Sequence, residues 1–300
     1  MKLNLIQIQT VSYCNGKCII CPYRGSWYDK NPGEMSGEFY EKMLKRICDF
    51  APGFNGKYCP YLCNEPFADR KIIPRIEKAL DVFNKPFLEV STNLTLASKP
   101  QLARLIELYD QNDWHGRIMV SHHGTTKEAY ERIMGLKFGV AQDNLKYLLN
   151  NVGPKLPVWI HTACYSHDKS YVMASPLEIK RHWMDFLIDN EMNNCNVHIY
   201  PLQIHNRAGN VQLDDWKYDT TPRKPNGCSR VNDQLHIIYT GEVVLCCCDY
   251  RHETVLGDLT KQSIKDVFNS EIYQAYKAKV KGELESPPDF ICKRCQWPGG

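Results

Sequence analysis

At 300 residues, 43% of them hydrophobic and 24% charged, the chain is long enough for one barrel-sized domain with a small appendage or for two ordinary domains, and its composition argues against disorder. The 37 basic and 34 acidic residues leave a formal charge of +3 with no dense Lys/Arg run, so no nucleic-acid partner is indicated. No stretch approaches the roughly 20 apolar residues of a membrane helix and the opening MKLNLIQIQT is no signal-peptide core, so a cytoplasmic protein without a membrane partner is expected, in which 14 cysteines suit metal ligation better than disulfides.

Leu3 to Val11 alternates polar and apolar residues and reads as a first strand running into Cys14. Ser36 to Phe50 has a helix cap followed by Phe39, Met43, Leu44 and Ile47 on one face. Strand and helix then keep alternating. Strands are expected at Tyr58 to Cys63, Phe87 to Ser91, Arg117 to Ser121, Val158 to Thr162 and Val197 to Tyr200. Helices are expected at Ile72 to Phe83, Lys99 to Tyr109, Lys127 to Ile133, Gln142 to Leu149 and Pro176 to Asn190. About six strand–helix units predict an α/β fold, a partial (β/α)6 TIM-like barrel over residues 1–213, with ligands at the C-terminal ends of its strands. The polar, proline-containing segment 214–227 (DDWKYDTTPRKPNG) reads as a linker. Residues 228–300 then form a small α+β unit: a β-hairpin of Leu235 to Tyr239 and Glu242 to Cys246 around Thr240-Gly241, a helix from Ser263 to Val280, and a terminal cysteine pair.

Directly after the first strand, YCNGKCIICPY places Cys14, Cys18 and Cys21 in a C-x3-C-x2-C pattern. Three thiolates in one short loop can ligate three irons of a four-iron cluster and leave the fourth open to an amino and a carboxylate group. Half of a structural zinc site is the alternative, although zinc knuckles usually use pairs. The triad, heading an alternating α/β pattern, resembles the signature of the radical S-adenosylmethionine (SAM) superfamily. In that family an aromatic or apolar residue before the third cysteine packs beside the adenine, here Ile20. A Gly-Gly-Glu-type segment meets the SAM amino group. Cys63-Asn64-Glu65-Pro66 keeps the Glu-Pro without the glycines, so Asn64 and especially Glu65 are the expected contacts. Ser91 and Asn93 in LEVSTN, Ser121 in VSHHG, and Arg207 in HNRAGN complete the SAM-binding set that the resemblance implies, each with an ordinary cap, turn or surface-ion-pair reading beside it.

Toward the C-terminus, Cys228, Cys246 and the C-x2-C pair Cys292 and Cys295 supply four thiolates, a fully ligated site suited to structure or electron transfer. Their order, with Gly241-x4-Cys246 and LGDL at 256–259, resembles the twitch domain, a shortened SPASM domain, and implies one auxiliary [4Fe–4S] cluster. A zinc ribbon with the same ligands is the alternative. Cys246, Cys247 and Cys248 cannot all point at one cluster, and Cys246 fits the spacing best. Cys48, Cys59, Cys164 and Cys195 are expected in the core, with Cys164 the best placed of them to donate a hydrogen atom.

The resemblance implies an enzyme that reductively cleaves SAM to a 5′-deoxyadenosyl radical, takes a hydrogen atom from an unactivated C–H bond, and uses the auxiliary cluster in a net oxidation such as a dehydrogenation. A small molecule is favoured because only 13 residues precede Cys14. A peptide substrate, cross-linked or epimerised, is the alternative. A flavodoxin- or ferredoxin-type reductant is the implied partner. A non-catalytic iron–sulfur electron carrier or a zinc-stabilised binding protein would use the same cysteines.

Overall fold

A computed structural model describes residues 2–164, 173–211, 213 and 221–296. Part of the expected linker, 214–220, lies outside the described residues. Six parallel strands, β1 (Leu5–Ile8), β2 (Lys57–Cys59), β3 (Phe87–Thr92), β4 (Gly116–Ser121), β5 (Val158–Cys164) and β6 (Val197–Gln203), pair in chain order, with helices on the connections. The strands alternate as a barrel wall requires: in β4, Gly116, Ile118 and Val120 are buried while Arg117, Met119 and Ser121 are partly exposed. The outward residues Leu88, Val90, Ile118, Val120, Val158 and Ile160 share the main core with Leu102, Leu105, Leu145, Leu148 and Trp183 of the covering helices. Each such side chain contributes about 1.5–3 kcal/mol by leaving water. Serines start several of the helices. Ser36, Ser98 and Ser175 accept backbone hydrogen bonds at Gly37–Phe50, Lys99–Gln111 and Pro176–Asp189, and the last two close capping boxes with Gln101 and Glu178.

The opposite, inward face is polar. Glu89 meets Lys57 Nζ at 2.9 Å, Arg117 Nε at 2.7 Å and Tyr61 Oη at 2.8 Å. Burial pushes the Glu89 carboxyl up, but the Lys57 and Arg117 charges outweigh it and hold the group below the usual carboxylate range. The Arg117 guanidinium also lies 4.4 Å from the Trp159 ring centroid. These contacts fill the N-terminal half of the barrel and leave its other end for the loops.

Three features differ from the sequence expectation. The second strand is short, because Pro60 has no N–H to continue the ladder. The single helix expected over 263–280 is two, Ile264–Asn269 and Glu271–Lys281, broken where Ser270 caps the second through the Tyr273 amide. The C-terminal hairpin does not stand apart: β7 (Gln234–Ile237) pairs parallel to β1, then β8 (Glu242–Val244) and β9 (Val255–Asp258) follow antiparallel, giving one nine-stranded sheet. Strand β7 thereby covers the β1 edge that an open barrel would leave unpaired. Gly241 forms the hairpin turn at φ 93°, and any Cβ there would stand 2.7 Å from the Phe39 ring. No helix among the described residues is long and apolar enough to cross a membrane.

Candidate functional site

The cysteine loop leaves β1 at the end of the sheet where the parallel strands finish, and neighbouring loops hold it. Lys17 and Ile19 amides donate to the Met134 and Ile133 carbonyls, and Tyr13 O accepts from the Glu65 amide. Asn15 Nδ2 donates to Thr95 Oγ1 at 2.7 Å, while Asn15 Oδ1 accepts from Asn93 Nδ2 at 3.0 Å. Within the loop, a Cβ at Gly16 would lie 3.3 Å from Cys18 Sγ and 3.5 Å from Cys14 Sγ, so the two thiols turn in on the same glycine. Burial, then the Glu65 charge, pushes the Cys14 thiol up to about 12. Cys18 is raised well above a free thiol by burial and by its neighbours Cys21 and Cys14. Neighbouring buried thiolates need positive charge to ionise together, which is what bound iron would supply. Among the described residues no three His, Cys, Asp or Glu side chains are grouped closely enough to grip a single ion.

The expected SAM contacts fall into two groups. Glu65, Asn93 and Asn64 gather beside the loop. Glu65 is buried and accepts from Thr92 Oγ1 at 2.6 Å, the Asn93 amide at 2.8 Å and the Phe67 amide at 3.2 Å. Burial lifts its carboxyl to about 7, against the pull of those donors. Asn64 Oδ1 accepts from the Leu62 amide at 3.0 Å, and its buried Nδ2 has no partner. Ile20 is buried with Tyr130, Ile133, Met134 and Ala163 in a small apolar cluster. Ser91 and Ser121 stand partly exposed on the inward face of β3 and β4, and Ser121 is in register with His161 of β5. His161 and His123 are both pushed down by burial, to about 4 and about 3, and are therefore neutral imidazoles.

Arg207 follows β6 in a turn where Arg207 and Ala208 have φ of 46° and 57°. Asn210 Nδ2 fixes that turn by donating to Arg207 O at 2.8 Å and to Cys248 O at 3.3 Å. Burial lowers the proton affinity of the guanidinium, but the charges of Tyr250, Cys248, Cys21 and Cys247 outweigh it, so thiols from both ends of the chain act on it electrostatically.

At the other thiol group, Cys228, Cys246, Cys248, Cys292 and Cys295 line one small cavity of about 70 Å³, together with Arg230. Burial, then Cys295, Cys228 and Cys248, pushes Cys292 up to about 12. Cys246 and Cys248 thus face this cavity, whereas Cys247 joins a separate cluster with Cys14, Cys21, Cys63 and Tyr250. Cys63 Sγ lies 3.8 Å from Cys247 O, and Cys21 Sγ lies 3.9 Å from Tyr250 Oη. The sequence patterns do not single out Cys63, Tyr250 or Arg230, although each is within two residues of a residue they do mark. Cys59 and Cys164 are buried in the core, Cys164 with 1% exposure and outside this cluster, while Cys48 and Cys195 pack at the core's margin.

Residues 228–296 match the SPASM iron–sulfur cluster-binding domain, the stretch that holds the second thiol group. Over 295 residues the chain is 19% identical to the S-adenosyl-L-methionine-dependent 2-deoxy-scyllo-inosamine dehydrogenase of Niallia circulans, covering 97% of this chain and 92% of that one. The chain is thus similar, along nearly its whole length, to a SAM-dependent dehydrogenase, and its C-terminal stretch matches an iron–sulfur cluster-binding domain. Solved radical SAM structures show the same fold. BtrN in complex with AdoMet and 2-DOIA superposes with a TM-score of 0.64 at 16% identity, over 99% of this chain and 95% of that one. Streptococcus suis SuiB bound to the precursor peptide SuiA gives 0.66 at 13%, over 99% and 76%. AnSMEcpe with bound AdoMet gives 0.58 at 17%, over 98% and 86%. The SPASM match indicates an iron–sulfur cluster in this chain, and AdoMet is the molecule bound in the BtrN and anSMEcpe structures.

Proposed function

We propose that Cys14, Cys18 and Cys21 hold the SAM-binding [4Fe–4S] cluster, that Cys228, Cys246, Cys292 and Cys295 hold an auxiliary one, and that the chain dehydrogenates a small hydroxylated molecule. The observation that carries this reading is the junction of the two thiol groups: Cys21 Sγ lies 3.9 Å from the hydroxyl of Tyr250, two residues beyond Cys248, and Cys63 Sγ, next to Asn64, lies 3.8 Å from Cys247 O. A substrate in the barrel mouth would therefore lie near both centres. The small-molecule reading draws on the Niallia circulans dehydrogenase, matched over nearly its whole length, whereas the chain spans 76% of the peptide-bound SuiB.

When bound, the cluster and SAM supply a 5′-deoxyadenosyl radical that abstracts hydrogen from carbon. The chain's own residues bind, orient and keep water out. Glu65, tied to the loop through Tyr13 O, and Asn93, tied to it through Asn15, would offer a carboxylate and an amide to the amino acid end of SAM. Ile20 and its apolar neighbours would provide a dry surface for the adenine, and the hydroxyls of Ser91 and Ser121 would serve its ribose. Arg207 supplies the cation for a carboxylate, and the neutral His123 and His161 can exchange hydrogen bonds with substrate hydroxyls. A flavodoxin- or ferredoxin-type protein is the proposed reductant.

Anaerobically reconstituted protein given dithionite and SAM should release 5′-deoxyadenosine, and should do so faster with polyhydroxylated amino alcohols than with peptides. Absence of 5′-deoxyadenosine from protein carrying its full iron would overturn this reading. Release that responds to peptides alone would replace the small-molecule substrate by a peptide.

A further inference from the structure

Arg230 occupies the short helix Ser229–Asp233 that leads from Cys228 into β7. Its Nη1 stands 3.7 Å from Cys248 Sγ, and it lines the same cavity as Cys228, Cys246, Cys292 and Cys295. Two other cations, Arg223 and Lys224, line the cavity as well, but both are exposed, where water and salt screen them. Arg230 is half-buried, its guanidinium keeps its charge at every physiological pH, and its neighbour Val231 is buried and anchors the helix. Reduction of an iron–sulfur centre adds a negative charge to a group already carrying several thiolates, and net charge and hydrogen bonds to sulfur are what set its potential. A fixed cation that lines the cavity of the four assigned ligands, and touches the neighbouring thiol of Cys248, favours the reduced form.

We propose that Arg230 is a positioning residue that raises the reduction potential of the centre held in the C-terminal thiol cavity, so that this centre accepts an electron readily. This rests on the assignment of those thiols as iron ligands. At the N-terminal loop the charges differ: Cys14 feels the Glu65 carboxylate more strongly than the Arg24 guanidinium.

The test is a redox titration followed by electron paramagnetic resonance on full-length, iron-loaded protein in a C14A/C18A/C21A background, where the C-terminal centre alone contributes signal. R230Q should lower the ratio of reduced to oxidised centre at fixed ambient potential at least tenfold, about 59 mV for one electron. R230K should stay within threefold of the parent, with iron content unchanged in both. An unshifted R230Q, an R230K that shifts as far as R230Q, or loss of iron from R230Q would each overturn the proposal, the last because the arginine would then hold the site together rather than tune it. A background protein that binds no C-terminal iron before any change at Arg230 would instead show that the ligand assignment has failed, and this proposal with it.

Discussion

The two thiol groups are built on opposite plans. Cys14, Cys18 and Cys21 belong to one loop, pinned by backbone and side-chain hydrogen bonds to three neighbouring loops, and their surroundings include polar side chains such as Glu65 and Asn93. The C-terminal cavity collects cysteines from three separate stretches, Cys228 before β7, Cys246 and Cys248 after β8, and Cys292 with Cys295 near the end. A loop can keep its shape when its metal leaves. A site that joins distant stretches loses the crosslink that brings them together, so iron in the C-terminal cavity should contribute to folding as well as to chemistry.

The largest expected effect follows at the first group. C14A/C18A/C21A should lower 5′-deoxyadenosine formation roughly a thousandfold or more, at least ~4 kcal/mol of barrier, while the protein stays folded and keeps the C-terminal iron. Quantifying iron per chain beside the nucleoside assay checks both halves, and complete loss of iron would break the comparison. Next, C292A/C295A should destabilise the protein by several kcal/mol, visible as a lowered Tm, yet still release 5′-deoxyadenosine from SAM. Product formation should fail in that variant even though the first centre works.

These plans also explain what could be read beforehand. The N-terminal loop was legible because its proposed ligands are local: Cys14, Cys18 and Cys21 all fall within one short loop after β1. The strands and most helices were legible because alternation and serine caps are local too, as at Ser36 and Ser175. The pairing of β7 with β1 was not, since it joins residues more than two hundred positions apart and neither strand's pattern records its partner. The same limit applies to Cys246, Cys247 and Cys248, where spacing favoured Cys246, but only the fold shows Cys248 lining the cavity as well and Cys247 turned toward Cys63 and Tyr250. Ser270 is a milder case: its cap splits a helix whose apolar period runs through the break.

A smaller effect separates the groups by pH. Glu65 has its carboxyl lifted from the ordinary 4.5 to about 7 by burial, so between those values the folded protein binds more protons than the unfolded one. Stability from this group is therefore greatest at low pH and declines as pH rises through that window, by on the order of 3 kcal/mol in total. SAM-free wild type should show a Tm that falls between about pH 5 and 7 more steeply than E65Q does, measured by scanning calorimetry in parallel buffers. Equal slopes would show that the carboxylate is already satisfied by its three donors and that burial does not dominate.

The smallest effect tests the loop against the cavity most directly, because one asparagine ties each. N15A removes the bonds to Thr95 and Asn93, and N206A removes the donation from Asn206 Nδ2 to Arg294 O at 3.0 Å, next to Cys295. Either loss should cost about 1–2 kcal/mol, from the lost bonds and the polar groups left unpaired. Their consequences for iron should nevertheless differ. The Cys14 loop keeps its backbone bonds at Lys17, Ile19 and Glu65, so N15A should hold its iron with only slightly slower SAM cleavage. Cys292 sits in the four-residue helix Ile291–Arg294 and Cys295 directly follows it, so N206A, which frees Arg294 O, should speed the loss of C-terminal iron to a chelator. Equal chelation rates in the two variants would mean that the distant stretches are held by packing of Phe290 and Ile291 rather than by the metal and this bond, and the contrast between a self-supporting loop and a metal-closed cavity would not stand.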